Sequence, residues 1–307
     1  MQKNLVGKIP PERGSDALTR FFLAEKAVKG VLFRGTSLVK AMQASHKLGI
    51  LETLVLGHAC LGAALLSTIL KGGRERLVLQ IECSGPIKGL LAEVNGAGEV
   101  RGYLRQVPIP VEKPPASFDL SPFFGAGFLS VSRYLEDARQ PFTGKVMLEY
   151  GNIAQDLSNY FLTSEQIPTA TSLSIQFDPA GEVVGAGGLF LQALPNADPA
   201  LMEKLTLQLE NFPSLGRYFA EGGGLDALLG EQFAVFAPEV LSRSTARFHC
   251  PCSEEGIAAL LLTLPKDDLD ELRSKGPFPV EITCHYCSTS YLFNQQALEK
   301  LWQESRQ

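Results

Sequence analysis

The chain has 307 residues, of which 45% are hydrophobic and 20% are charged, so it can bury a sizeable core and is not expected to be disordered. Its net charge of −5 and isoelectric point near 5.5 give no support to a nucleic-acid-binding protein. The length suggests one large domain or two modest ones. Six cysteines are too few for a disulfide scaffold, and no apolar signal segment is visible, so we expect a cytoplasmic protein with reduced thiols.

Residues 1–195 have the pattern of an α+β domain, a mixed sheet-and-helix unit. Helices are predicted from Ser37, over 50–70 and over 152–162. An Asn-Gly turn at 95–96 predicts a hairpin between two of the strands. The predicted strands cover 31–33, 77–81, 89–94, 100–104, 127–131, 145–150, 172–177 and 187–194. Strands and helices occur in separate runs, which favours α+β over an alternating βαβ architecture.

The segment 50–70 is long and apolar enough to cross a bilayer. Glu52 and His58 within it would be costly in lipid, so we predict a buried helix of a soluble domain and no membrane contact. Cys60 lies on this helix and Cys83 follows a strand. Lone cysteines in apolar surroundings are usually small core residues, and we expect both to be structural.

Residues 196–243 differ in character from the domain before them. A helix is predicted over 201–207, and large apolar residues continue beyond it, but glycines at 222–224 and several prolines interrupt the pattern. One interpretation is a helical linker packed against its neighbours. The other is a metastable linker that can come loose and expose apolar surface.

Residues 244–307 are predicted to form a small C-terminal module. Ser253 begins a helix with acidic residues in its first turn, and Pro265 begins a second helix that ends at Gly276. A strand, a tight turn and another strand follow, and Asn294 caps a last helix. Acidic residues outnumber basic ones here, which makes the module a poor electrostatic partner for phosphate.

Four cysteines of this module form two close pairs. Cys250 and Cys252 are separated by one residue, 31 residues follow, and Cys284 and Cys287 are separated by two. This spacing predicts a zinc site with four cysteine ligands, because each pair can span one edge of a tetrahedron. Zinc also holds sulfur as thiolate, the form that oxidants attack. The residues alone leave open whether such a zinc is permanently structural or part of a redox switch.

Few other residues suggest chemistry. His249 and His285 flank the cysteines, but four thiolates already fill a tetrahedral shell, so we expect these histidines at its periphery or on the surface. No GxSxG, HExxH, P-loop or Rossmann pattern occurs, so we do not expect an enzyme. Two alternatives remain: a structural zinc protein that binds nucleic acid, and a thiol oxidoreductase, which would require a CxxC at a helix N-terminus.

Several segments together resemble the heat shock protein 33 family of redox-regulated holdases. The most specific is CxC-x31-CxxC with its flanking residues Phe248 to Ser253 and Tyr291 to Asn294. Other similar segments lie in the first domain, at 101–103, at 160–161 with 164–169, and at 186–195.

The resemblance implies an ATP-independent holdase that is inactive when reduced. It implies one Zn²⁺ per chain, held by Cys250, Cys252, Cys284 and Cys287, and disulfides Cys250–Cys252 and Cys284–Cys287 after oxidation. Loss of zinc would then unfold the linker and allow unfolding client proteins to bind. The resemblance also implies a monomer when reduced and a homodimer, formed through the N-terminal domain, when oxidised.

Overall fold

In a computed structural model, described for residues 16–111, 119–195 and 197–305, the chain forms two compact units with the boundary after Phe248. The strands of the first unit are β1 (Ala17–Leu23), β2 (Val28–Arg34), β3 (Arg76–Cys83), β4 (Gly89–Asn95), β5 (Glu99–Leu104), β6 (Gly127–Tyr134), β7 (Phe142–Met147), β8 (Thr169–Phe177), β9 (Val183–Ala193), β10 (Glu239–Ser244) and β11 (Arg247–Phe248). Its helices are α1 (Thr36–His46), α2 (Ile50–Leu66), α3 (Ser121–Phe124), α4 (Ile153–Ser164), α5 (Pro199–Glu210), α6 (Leu215–Ala220) and α7 (Leu225–Phe233).

The strands form two sheets. One has the order β10-β1-β2-β9-β8, and the other has the order β11-β5-β4-β3-β6-β7. All neighbours are antiparallel except β11 and β5. The predicted α+β class is confirmed, and so is the hairpin at Asn95, whose side chain accepts hydrogen bonds from the amides of Ala97 and Glu99. Strands β1, β10 and β11 were not predicted, because none of them carries a clear alternating apolar pattern.

Helix α2 is the centre of the first unit. It contacts strands of both sheets, which explains why it is apolar on every side. A Cβ atom at Gly57 would lie 2.6 Å from Cδ1 of Ile175, so the helix packs closely against β8. The stretch Ile50–Ile69 has the length and hydropathy of a membrane span, but 72% of its most apolar window is buried. The prediction of a buried helix is therefore confirmed, and Cys60 is wholly buried within it.

The segment 197–243 belongs to the first unit: its helices pack on the outer face of the first sheet, and its last residues, in β10, form an edge strand of that sheet. Helices α5, α6 and α7 supply apolar side chains that are buried against apolar side chains of β1, β2, β8 and β9. The residues supplied by the helices are Met202, Leu205, Leu215, Phe219, Leu228, Leu229 and Phe233. Burial of one such side chain contributes roughly 1.5–3 kcal/mol. The helices of the segment thus form a packed layer of the first unit. Their predicted release would require the loss of this burial energy.

The backbone of helix α6 lies directly against the backbone of the first sheet. A Cβ atom at Gly185 of β9 would lie 2.0 Å from the carbonyl oxygen of Gly216, and one at Gly216 would lie 2.7 Å from the amide nitrogen of Gln176. Only residues without a side chain permit this contact. Two glycines therefore set how closely the segment docks on the sheet.

The second unit has a small core of its own. It contains α8 (Glu254–Leu261), α9 (Lys266–Lys275), β12 (Val280–Thr283), β13 (Ser290–Phe293) and α10 (Gln295–Glu304). Side chains of Ser253 and Asn294 accept hydrogen bonds at the starts of α8 and α10, as predicted. The buried apolar residues are Ile257, Leu261, Leu269, Val280, Phe293, Leu298 and Leu301.

Gly185→Ala should destabilise the first unit by about 1–3 kcal/mol, because the new methyl group overlaps the α6 backbone. Gly230→Ala is the matched control: Gly230 lies inside α7 with nothing within 4 Å of an added Cβ, so alanine should stabilise the helix by roughly 0.5–1 kcal/mol. Urea unfolding of both variants measures the two changes in the free energy of unfolding. Equal stabilities would contradict the close docking of α6.

Candidate metal centre

The first cysteine pair lies where the chain enters the second unit. Cys250 and Cys252 stand between β11 and α8. The hydroxyl of Ser253 accepts a hydrogen bond from the amide of Gly256 at 3.1 Å and fixes the start of α8 directly after Cys252. Pro251 has no amide hydrogen and a restricted φ, which stiffens the short link between the two thiols.

The second pair lies in the turn between β12 and β13. The amide of Cys284 donates to the carbonyl of Thr289 at 2.9 Å, and the amide of Ser288 donates to the carbonyl of Cys284 at 2.7 Å. Ser288 adopts a left-handed φ of 55°, which reverses the chain after Cys287. These bonds hold both sulfur atoms on the same side of the turn, in a strand–knuckle–strand arrangement as predicted.

The four sulfur atoms converge. Sγ of Cys250 lies 3.8 Å from Sγ of Cys284, and Sγ of Cys252 lies 3.3 Å from Sγ of Cys287. All four sulfur atoms lie within 4.8 Å of one another, and no disulfide joins them. Four sulfurs bound at about 2.3 Å to one tetrahedral ion stand about 3.8 Å apart. The observed separations bracket this value, so the set fits one metal ion, and thiolates favour a soft or borderline ion such as zinc.

Their surroundings make the thiols of the cluster unequal. Burial disfavours the charged form of Cys287, but hydrogen bonds with Thr289, Cys252 and Cys284 together outweigh burial and lower the pKa of this thiol to about 7. Burial raises the pKa values of Cys252 and Cys284. Before a cation binds, Cys287 thus ionises more readily than Cys252 and Cys284, and binding of a cation must displace protons from these two.

Tyr291 is a residue of this centre that the sequence did not single out for a role. Its hydroxyl donates a hydrogen bond to Sγ of Cys252 at 3.1 Å, and this bond raises the pKa of the tyrosine. A donor to sulfur stabilises the thiolate and orients the ligand. Tyr291 lies on β13, and the signal that pointed to it was its place in the segment that resembles a known family.

The remaining candidates do not belong to the cluster of possible ligands. Within the described residues, the group of side chains able to hold a metal consists of the four cysteines and includes neither His249 nor His285. Cys60 is in the core, where burial raises its pKa to about 12 and keeps the thiol protonated. Cys83, at the end of β3, is half-buried, and burial also raises its pKa.

Sequence comparisons relate the chain to known proteins. A sequence model of the Hsp33 protein family matches residues 16–294. A 33 kDa chaperonin of Citrifermentans bemidjiense is 31% identical over 288 residues, covering 94% of this chain and 97% of that protein. A 33 kDa chaperonin of Thermotoga maritima is 34% identical over 279 residues, covering 89% of this chain and 93% of that protein.

The fold agrees as well. The crystal structure of the 33 kDa chaperonin of Thermotoga maritima, a heat shock protein 33 homolog, superposes with a TM-score of 0.83 at 32% identity. The match covers 95% of this chain and 99% of that one. These relatives support a chaperone function, and the chain belongs to the Hsp33 family.

Proposed function

We propose that this protein is an ATP-independent holdase whose activity is controlled by oxidation of a zinc-binding thiol cluster. The single observation that carries the proposal is the convergence of four thiols within 4.8 Å in a unit with a small apolar core. The chain would act by binding unfolding proteins in the cytoplasm, without catalysing a reaction on them.

The size of the second unit makes metal binding matter for its stability. Residues 249–307 bury few large apolar side chains, and chains of this length are marginally stable alone. A structural zinc contributes on the order of 10–16 kcal/mol in small peptides, whereas whole domains are stable by about 5–15 kcal/mol. Loss of the four ligands should therefore unfold this unit rather than loosen it.

Oxidation of the thiols by hydrogen peroxide would remove the metal ligands. Two thiols lose two electrons and two protons to form one disulfide, and one hydrogen peroxide is reduced to two water molecules. Two disulfides, Cys250–Cys252 and Cys284–Cys287, consume all four thiols. In the reduced arrangement Cys250 contacts Cys284 and Cys252 contacts Cys287, so this pairing requires the sulfurs to exchange neighbours. Each of these disulfides closes a very short loop and restricts the unfolded chain little. The disulfides therefore replace little of the stability lost with the metal.

The linker provides the surface that oxidation would expose. Phe233 of α7 packs against Phe21 of β1 at a ring-centroid distance of 6.1 Å and against Phe212 at 5.6 Å. Release of α5, α6 and α7 would uncover both the helices' apolar faces and the sheet beneath them. A newly exposed apolar surface of this kind can hold unfolding chains, and it can join two oxidised copies through the N-terminal domain.

The two alternative functions have weaker support. The second unit is acidic, which opposes nucleic-acid binding. Cys284 and Cys287 lie between two strands, whereas a thiol oxidoreductase places its CxxC at the N-terminus of a helix.

Reduced protein should contain one zinc per chain, and hydrogen peroxide at mildly elevated temperature should release it. Release should accompany loss of the four free thiols, loss of helix signal and a gain in suppression of client aggregation. A zinc-sensitive dye, circular dichroism and light scattering on one sample measure all of these. Aggregation suppression that is equal before and after oxidation would refute redox control.

Cys284→Ser should lose zinc and show partly constitutive aggregation suppression, because three thiolates cannot close the shell. Cys83→Ser is the control and should keep both zinc and inactivity in the reduced state, since Cys83 lies outside the cluster. Metal content and light scattering of the reduced variants provide the measurement. Full zinc retention in Cys284→Ser would show that Cys284 is not a ligand.

Tyr291→Phe should lower zinc affinity by about 10-fold, because removal of a donor to a ligand typically costs 10- to 100-fold. Tyr134→Phe, a change on the first unit, is the control. Competition with a chelator measures the affinity of each reduced variant. An unchanged affinity would mean that the hydroxyl of Tyr291 does not support Cys252.

A further inference from the structure

An open groove runs along one edge of the first sheet. Strand β8 is the last strand of that sheet, and the groove follows its first half over Thr169, Ala170, Thr171 and Ser172. Side chains of α4 form one wall, those of α5 form the other, and the volume is about 390 Å³. The second half of β8 is covered, because Gly216 of α6 lies against its backbone.

The backbone of β8 directs hydrogen-bonding groups into this groove. The amide of Ala193 donates to the carbonyl of Pro168, which fixes the residues of β8 that bond to β9. In a regular antiparallel ladder these are every second residue, namely Pro168, Ala170 and Ser172. The amides and carbonyls of Thr169 and Thr171 consequently point away from β9, toward the open edge. No register shift interrupts the ladder before Gln176.

The walls are chemically neutral. The residues that line the groove carry hydroxyl, amide or apolar groups and no formal charge: Tyr150, Gln155, Ser158, Asn159, Leu162, Thr169, Ala170, Thr171, Ser172, Thr206 and Leu209. Leu162 on α4 is 56% exposed, so an apolar contact is available on that wall. A partner suited to this groove is uncharged and extended and offers alternating donors and acceptors. That is the chemistry of an unfolded polypeptide backbone, whatever its sequence.

We propose that the outer edge of β8 captures an extended segment of an unfolding client as an added strand. Main-chain hydrogen bonds to Thr169 and Thr171 would supply sequence-independent recognition, and Leu162 would contact alternate side chains. This mode suits a holdase, because every unfolded protein has the same backbone and exposed strand edges invite pairing.

The inference rests on the proposed function, because α5 forms one wall of the groove. Thr206 and Leu209 lie on α5, inside the segment whose release we propose on oxidation. Departure of α5 would widen the groove along β8 without altering the ladder between β8 and β9. Strand capture should therefore be stronger in the oxidised protein.

The test uses the full-length oxidised protein and a fluorescent seven-residue peptide of alternating valine and threonine. Its twin carries an N-methyl group on every residue, which removes the amide donors from both edges of the strand and blocks strand pairing. We expect the unmodified peptide to bind and the methylated twin to bind at least about tenfold more weakly, as for loss of one or two hydrogen bonds. Equal binding of the two peptides overturns the proposal.

Thr171→Pro tests the site itself. Its amide points to the open edge, and edge strands tolerate proline at such a position, so the ladder should survive while the peptide loses about tenfold in affinity. Thr171→Val is the matched control. It keeps the amide, and among the described residues the buried hydroxyl of Thr171 has no hydrogen-bond partner, so binding should be unchanged. Unweakened binding by Thr171→Pro overturns the proposal.

Leu162→Asp gives a second test if the proline variant does not fold. It introduces a charge at a largely exposed position of the neutral wall, and Leu260→Asp, at a 62% exposed helix position of the second unit, is its control. Loss of peptide binding in Leu162→Asp alone supports the site. Loss of dimerisation in sedimentation without loss of peptide binding overturns it in favour of a second copy. Zinc release and aggregation suppression, measured in the same variants, report separately on the redox switch.

Discussion

The arrangement depends on one constraint: a unit with a small core holds four thiols at the separations that one tetrahedral ion requires. The thiols come from two places far apart in sequence, and only the folded unit brings them together. A metal ion bound by these thiols would therefore be coupled to the folding of this unit. Chemistry at sulfur would thus act directly on the stability of the unit. The hydroxyl of Tyr291 donates a hydrogen bond to Sγ of Cys252, and Sγ of Cys287 donates one to the hydroxyl of Thr289.

Under the proposed function, the first unit divides into a stable part and a layer that oxidation would release. Helix α2 lies between two sheets and is buried on nearly all sides, so its loss would destroy the core. The helical layer of the segment 197–243, formed by α5, α6 and α7, instead lies on one face of one sheet, and the absence of side chains at Gly185 and Gly216 allows it to pack closely. Beneath it are apolar strands, and beside it is the neutral groove along β8. An apolar sheet surface and a strand edge able to form main-chain hydrogen bonds thus lie next to each other.

Much of this was predictable from the sequence, for physical reasons. The uniform hydrophobicity of α2 indicated burial, the Asn-Gly pair indicated the β4–β5 turn, and the spacing of the cysteines indicated a metal site. Strand β10 gave no signal, because all six of its residues are exposed. It is held by backbone pairing with β1 and by ion pairs of Glu239 with Lys26 and of Arg243 with Asp226. Tyr291 and the edge of β8 depend on which elements become neighbours, and no local pattern encodes that.

The most direct measurement of the central claim is hydrogen–deuterium exchange of the full chain, compared between the reduced zinc-bound and the oxidised metal-free protein. The account predicts that residues 249–305 and 197–243 lose protection on oxidation while α2 and its flanking strands keep theirs. Protection of both segments that is unchanged after complete loss of zinc would contradict it.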